Sequence, residues 1–196
     1  MGLIHDILDF NAAFVEQREY EPYRATRFPS KKLVILTCMD SRLVDLLQKA
    51  MNLKNGDANI IRNAGAIVVQ PFGNIMRSIV VSFYELQAQE IAVVGHHDCG
   101  MTALRSQGII DKMKARGISE QVFKTLIHGG IQLDRWLVGF DSVREGVEKS
   151  VSIIKNHPLL PPDVPVHGLI IHPETGKLEL VVDGYASSRE EDARGC

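Results

Sequence analysis

The chain is short of cysteine, of aromatic residues and of excess charge, and each shortage excludes something. Only three of its 196 residues are cysteine, an odd number that rules out a complete internal disulfide framework. In a reducing compartment, thiols used this sparingly are ligands or reactive groups rather than bridges. Cys196, the last residue, is expected to be an exposed thiol without a role. Aromatics make up 6% of the chain and Trp136 is the only tryptophan, which leaves little material for base-stacking platforms. With 22 basic and 24 acidic residues the formal net charge is −2, so no basic surface invites nucleic acid and no acidic excess implies disorder. No apolar run approaches the length of a membrane span. Residues 1–21 resemble neither a secretory signal nor an Arg-rich transit peptide. The expectation is a cytoplasmic protein with no membrane or nucleic-acid partner.

What is present is an alternation of strands and helices. Ile4, Leu8, Phe10, Phe14 and Val15 sit at rough helical spacing, which predicts an amphipathic helix over 3–19 within an N-terminal arm reaching residue 30. Apolar runs predict strands at Lys32–Thr37, Ala58–Arg62 and Ile91–Gly95. Helices are expected at Leu43–Ala50 and Pro71–Gln87. Met101–Asn156 has a helical pattern, interrupted near Gly108, Gly117 and Gly129-Gly130. Two further strands, Val166–His172 and Lys177–Val182, flank the hairpin signal Pro173-Glu174-Thr175-Gly176. The charged stretch 187–196 is expected to be poorly ordered. The fold class is therefore α/β: a mostly parallel central sheet with flanking helices and a C-terminal hairpin strand, in one domain over 1–196.

Two motifs carry chemistry. Cys38-Met39-Asp40-Ser41-Arg42 follows the first apolar strand, and His96-His97-Asp98-Cys99 follows the third. Ligand sites in parallel sheets form outside the carboxyl ends of strands, where Cys38, His96 and Cys99 would converge. Two thiolates and an imidazole suit zinc, and the fourth position is left to Asp40 or water, the open arrangement of a catalytic site. Gly95 and Gly100 flank the second motif and are expected to permit backbone geometries that a Cβ would obstruct. Zinc lowers the pKa of a bound water to about 7. Asp40 and Arg42, two residues apart, can project to the same side and pair in a bidentate fashion.

With these residues in hand, the sequence resembles a β-class carbonic anhydrase. The family pattern is Cys-x-Asp-x-Arg, then His-x-x-Cys-Gly after a further helix and strand. Cys38, Asp40, Arg42, His96, Cys99 and Gly100 fill it completely, and the resemblance spans about Lys32 to Ala103, including Arg62-Asn63-Ala64-Gly65. It implies zinc-dependent reversible hydration of CO2 to bicarbonate through zinc-bound hydroxide, with one Zn2+ per chain on Cys38, His96 and Cys99. It implies that Arg42 fixes Asp40 and that Asp40 orients the attacking hydroxide; in some members this aspartate instead ligates zinc and closes the site. It also implies a homodimer or a multiple of dimers. Two other readings keep the same motifs: hydrolysis of carbonyl sulfide or carbon disulfide, and a zinc-binding protein without turnover.

Several residues stay between readings. Arg62-Asn63-Ala64-Gly65 either borders the CO2 pocket or makes a tight turn with Arg62 in a structural ion pair. Ile67-Val68-Val69 can supply an apolar wall for a small nonpolar substrate. His97 and Asp98 are either proton-transfer groups or solvent-facing polar residues, and neither is placed among the catalytic residues. His5, His128, His157, His167 and His172 are not expected to build a second metal site.

Overall fold

The computed structural model describes residues 2–186; the expectation for the 187–196 tail, and with it Cys196, lies outside the described residues. Five strands form one sheet in the order β2-β1-β3-β4-β5. They are β1 (Leu33–Cys38), β2 (Ala58–Asn63), β3 (Glu90–His96), β4 (Val166–Ile171) and β5 (Leu178–Val182). The first four run parallel and β5 returns antiparallel to β4. This is the mostly parallel sheet with a hairpin strand that the alternation predicts, with boundaries shifted by one residue at most strand ends.

The sheet is apolar on both sides because helices cover both. Val34 and Leu36 of β1 and Ile91 and Val93 of β3 pack with Met76 and Ile79 of α3 (Asn74–Tyr84) and with Val147, Val151 and Ile154 of α7 (Val143–Lys155). The alternate residues Ile35, Ala92 and Val94 pack with Leu43 and Leu47 of α2 (Leu43–Ala50). Both Cys38 and Cys99 belong to this second cluster. The chain leaves β1 for β2 on one side and then crosses to β3 on the other. The crevice outside the ends of β1 and β3 is thus the topological switch point. The motifs sit there.

Elsewhere the structure revises the helical reading. α1 runs Leu3–Glu16 rather than to 19, because Arg18 takes a left-handed φ of 57°. α3 begins at Asn74, not Pro71: Gly73 N–H closes a turn on Gln70 O at 3.1 Å. Past Met101 the helices are α4 (Ser106–Ala115), α5 (Glu120–His128), the single turn α6 (Leu133–Trp136), and α7. Gly117 and Gly130, with φ of 93° and 83°, separate them. Gly108 lies inside α4 and breaks nothing; a helix tolerates one glycine at a cost of about 1 kcal/mol. Residues 101–105 are not helical, since Thr102 bridges Phe140 and Ala103 N–H donates to Phe140 O at 2.8 Å. These segments touch backbone to backbone: a Cβ on Gly139 would stand 1.8 Å from Met101 O.

Gly95 bears out its expected steric role, whereas a Cβ on Gly100 would meet nothing within 4 Å. At Gly95 the obstruction is Val147 Cγ2 at 2.7 Å and Val143 Cγ1 at 2.9 Å, both on stiff β-branched side chains. Gly95→Ala is therefore expected to overpack the sheet–α7 interface and cost about 1–3 kcal/mol in urea unfolding. Gly100→Ala serves as the comparison, with a loss no larger than the few tenths typical of an open site.

Candidate metal centre

Cys38 is the last residue of β1, His96 the last of β3, and Cys99 lies three residues further along the loop. Parallel pairing of β1 with β3, Thr37 opposite Val94, brings these ends together. A buried hydrogen bond from Thr37 Oγ1 to Val94 O at 3.0 Å crosses the same two strands. The two sulfurs stand 3.9 Å apart. The ligand atoms of Cys38, His96 and Cys99 all lie within 4.8 Å of one another, and all three residues are buried.

The donor set fits a zinc ion. Two sulfurs each about 2.3 Å from a tetrahedral zinc would be separated by about 3.8 Å, close to the 3.9 Å found. His96 Nδ1 is 2.8 Å from the carbonyl of His97. A carbonyl only accepts, so Nδ1 carries the proton and Nε2 presents its lone pair. That Nε2 is buried and has no hydrogen-bond partner. A buried acceptor left unpaired is costly; a metal would satisfy it.

Charge follows the same geometry. Cys38 is a far stronger acid than an ordinary thiol, because Cys99 donates to its sulfur, His96 faces it, and Gly65 N–H points at it from 3.4 Å. Cys99 is raised correspondingly, since its S–H donates to the Cys38 sulfur and burial adds to the effect. Burial opposes protonation of His96, but Cys38, the His97 carbonyl and Asp40 more than offset it and its pKa is raised.

Asp40 faces the cluster, with Oδ2 at 3.8 Å from His96 Nε2. Arg42 grips it: Nε donates to Oδ1 at 3.0 Å, Nη2 to Oδ2 at 2.8 Å, and the backbone N–H to Oδ1 at 2.9 Å. These hydrogen bonds hold the carboxyl down from 3.8 to about 2. It is a fixed anion across the neutral range.

Known proteins place this arrangement. A family model described as carbonic anhydrase matches residues 33–178. The crystal structure of β-carbonic anhydrase isoform I from Trichomonas vaginalis superposes with a TM-score of 0.86 at 33% identity, covering 94% of this chain and 100% of that one. The chain belongs to the β-carbonic anhydrase family. YtiB of Bacillus subtilis, whose name assigns it to the carbonic anhydrases provisionally, is 57% identical over 185 residues, covering 94% of this chain and 99% of its own. A carbon disulfide hydrolase from an Acidianus species is 31% identical over 173 residues, 82% of each chain.

Three groups in this β-carbonic anhydrase family member take positions that the sequence leaves open. Arg62 makes no ion pair among the described residues; its Nε donates to Cys38 O at 3.2 Å and its Nη2 to Asp40 O at 2.9 Å. It fastens the first motif from β2. Gly65, at φ 83°, brings its N–H onto Cys38 Sγ, and a Cβ there would press on Phe140 at 2.9 Å. Asp98 turns both its carboxylate and its carbonyl to Arg42. Adjacency to Cys99 is the only sequence signal of this, and it does not reveal direction. The exposed His97 ring lies 5.7 Å from that of His172. Ile67-Val68-Val69 lines a cavity of about 390 Å³ together with Arg105, Phe140 and Lys149. The lining of that cavity includes none of Cys38, His96 and Cys99. The cleft that reaches Cys99 is instead bordered by His97, Asp98, Thr102, Val143 and Arg144.

Two outcomes follow. Arg62→Met leaves two carbonyls without their donor and is expected to cost about 1–3 kcal/mol in urea unfolding, together with a lower zinc content by atomic absorption. Because the Asp40 pKa is depressed on folding, its pairing stabilises above the unfolded value near 3.8 and is lost as pH falls toward about 2. Acid unfolding followed by circular dichroism should show Asp40→Asn losing less stability than wild type across that window.

Proposed function

We propose that this protein catalyses the reversible hydration of CO2 to bicarbonate and a proton, with Zn2+ held by Cys38, His96 and Cys99. The observation that carries the proposal is the buried, unpartnered His96 Nε2 within 4.8 Å of two thiol sulfurs, beside a carboxylate already committed to Arg42. Zinc held there supplies a Lewis acid that brings the pKa of water to about 7, so hydroxide is available near neutrality.

The chain's own groups do the rest. Gly65 N–H supports the Cys38 sulfur as a thiolate, and the His97 carbonyl fixes the His96 tautomer. Asp40, kept ionised by Arg42, accepts an O–H hydrogen bond at Oδ2 and so aims an oxygen lone pair away from itself toward the substrate carbon. A carboxylate this acidic orients rather than deprotonates. Turned further toward His96, the same oxygen would serve as fourth ligand and close the site. Fold, ligand set and orienting pair act within one domain over 1–196.

The protein is proposed to act as a homodimer or a multiple of dimers. None of the α1 side chains is buried, and Leu3, Ile7 and Phe10 are 73%, 51% and 69% exposed along one face. Among the described residues β2 is one edge of the sheet and pairs on one side only. A second copy answers both needs. The thiol ligands suit a reducing cytoplasm, and no helix among the described residues is long and apolar enough to cross a membrane. Hydrolysis of carbon disulfide is the second reading, favoured by the relative that bears that name.

Stopped-flow CO2 hydration on protein with one zinc per chain is the decisive measurement. Turnover should vanish on chelation, and Asp40→Ala should lower kcat by about 10²-fold. Zinc-loaded protein that hydrates no CO2 but releases sulfide from CS2 would establish the second reading instead. In sedimentation, wild type should run as a dimer or larger and Phe10→Asp should shift it toward monomer; a wild-type monomer would sink the assembly.

A further inference from the structure

Arg42 is held by more than its partner in the first motif. Its Nη1 donates to Asp98 Oδ2 at 2.9 Å and its Nη2 to the Asp98 carbonyl at 3.0 Å. With the bonds to Asp40, four of the five guanidinium N–H groups are committed to two aspartates. One aspartate sits on the loop after β1 and the other on the loop after β3. Asp98 makes both contacts from a left-handed backbone, φ 54°, a conformation that Asp, Asn and Gly tolerate best.

We propose that Asp98 is a positioning residue: by seating the far edge of the Arg42 guanidinium, it fixes the near edge that aims Asp40 at the metal position. The inference rests on the functional reading above. The Asp98 side chain of this pair is 84% exposed, and exposed ion pairs add little to stability. What the contact controls is rotation. A guanidinium gripped only along its Nε–Nη2 edge can turn about the Nε–Cζ bond once the single Nη2 bond to Asp40 opens, which releases half of its grip on that carboxylate. Gripped on both edges, it is locked between the two loops that deliver the metal ligands.

The test compares Asp98→Gly, which removes the carboxylate yet accepts the left-handed backbone, with Asp98→Asn, whose amide oxygen can still accept from Nη1. In zinc-loaded protein, 15N NMR of Arg42, assigned by loss of its signals in Arg42→Lys, should show two distinct Nη resonances. These should exchange faster and average in Asp98→Gly, where turning about Nε–Cζ breaks two hydrogen bonds, to Asp40 and to the backbone carbonyl of residue 98, instead of three. CO2 hydration by Asp98→Gly should show kcat reduced about tenfold with KM unchanged and one zinc per chain retained, because orientation rather than binding is lost. Asp98→Asn should recover part of the loss. Separate Nη resonances persisting in Asp98→Gly would overturn the proposal, as would undiminished kcat. A fall in zinc content that accounts for all lost turnover would also overturn it, reducing Asp98 to a loop brace. Wild-type protein that holds zinc but hydrates no CO2 would refute the functional reading alone, and the Nη resonances would still decide whether Asp98 seats Arg42.

Discussion

Two buried thiols 3.9 Å apart cannot both ionise unless a cation stands between them. Of the two, Cys38 is the stronger acid and Cys99 the weaker. Much of the surrounding structure answers that problem of charge. Gly65 directs an N–H at one sulfur, and the His97 carbonyl orients the imidazole so that its bare nitrogen faces the cluster. Asp40, a further negative charge at the edge, is offset by Arg42. Each device suits a cluster that could hold a metal ion.

That cluster exists because β1 and β3 lie side by side although a helix, a strand and another helix separate them in sequence. Parallel strands flanked by helices on both faces place their carboxyl ends together without any contact specific to the site. The family shares this scaffold, and its substrates need not be identical: carbonic anhydrases and a carbon disulfide hydrolase both resemble the chain. The shared scaffold alone does not separate those activities.

Much of this was legible in the residues themselves. The apolar runs Leu33–Leu36 and Ile91–Val94 marked the central strands, because burial on both faces leaves no room for polar alternation. The motifs at the ends of those runs placed Cys38, His96 and Cys99 in one crevice through topology alone. Harder to read were features set by backbone direction rather than residue type. Nothing in Arg62 announces that it donates to two carbonyls instead of pairing with an acid. Asp98 turns toward Arg42 only because φ there is left-handed. The segment 101–105 carries helix-forming residues, yet its carbonyls and N–H groups pair with 139–140, a contact between positions far apart in the chain. Ile67-Val68-Val69 is apolar as a wall would be, but Val68 N–H donates to Ser150 Oγ and the cavity the three residues line includes none of the metal ligands. Local composition cannot encode such distant pairings.

The first helix brings a different kind of dependence. It is 14 residues long and buries no side chain in its own subunit, while helices shorter than about 12–15 residues are marginal in water by themselves. Among its side chains only Ala13 and Phe14 are even partly covered. In the proposed assembly a second copy supplies the missing cover, so the helicity of α1 follows mass action rather than the stability of the sheet.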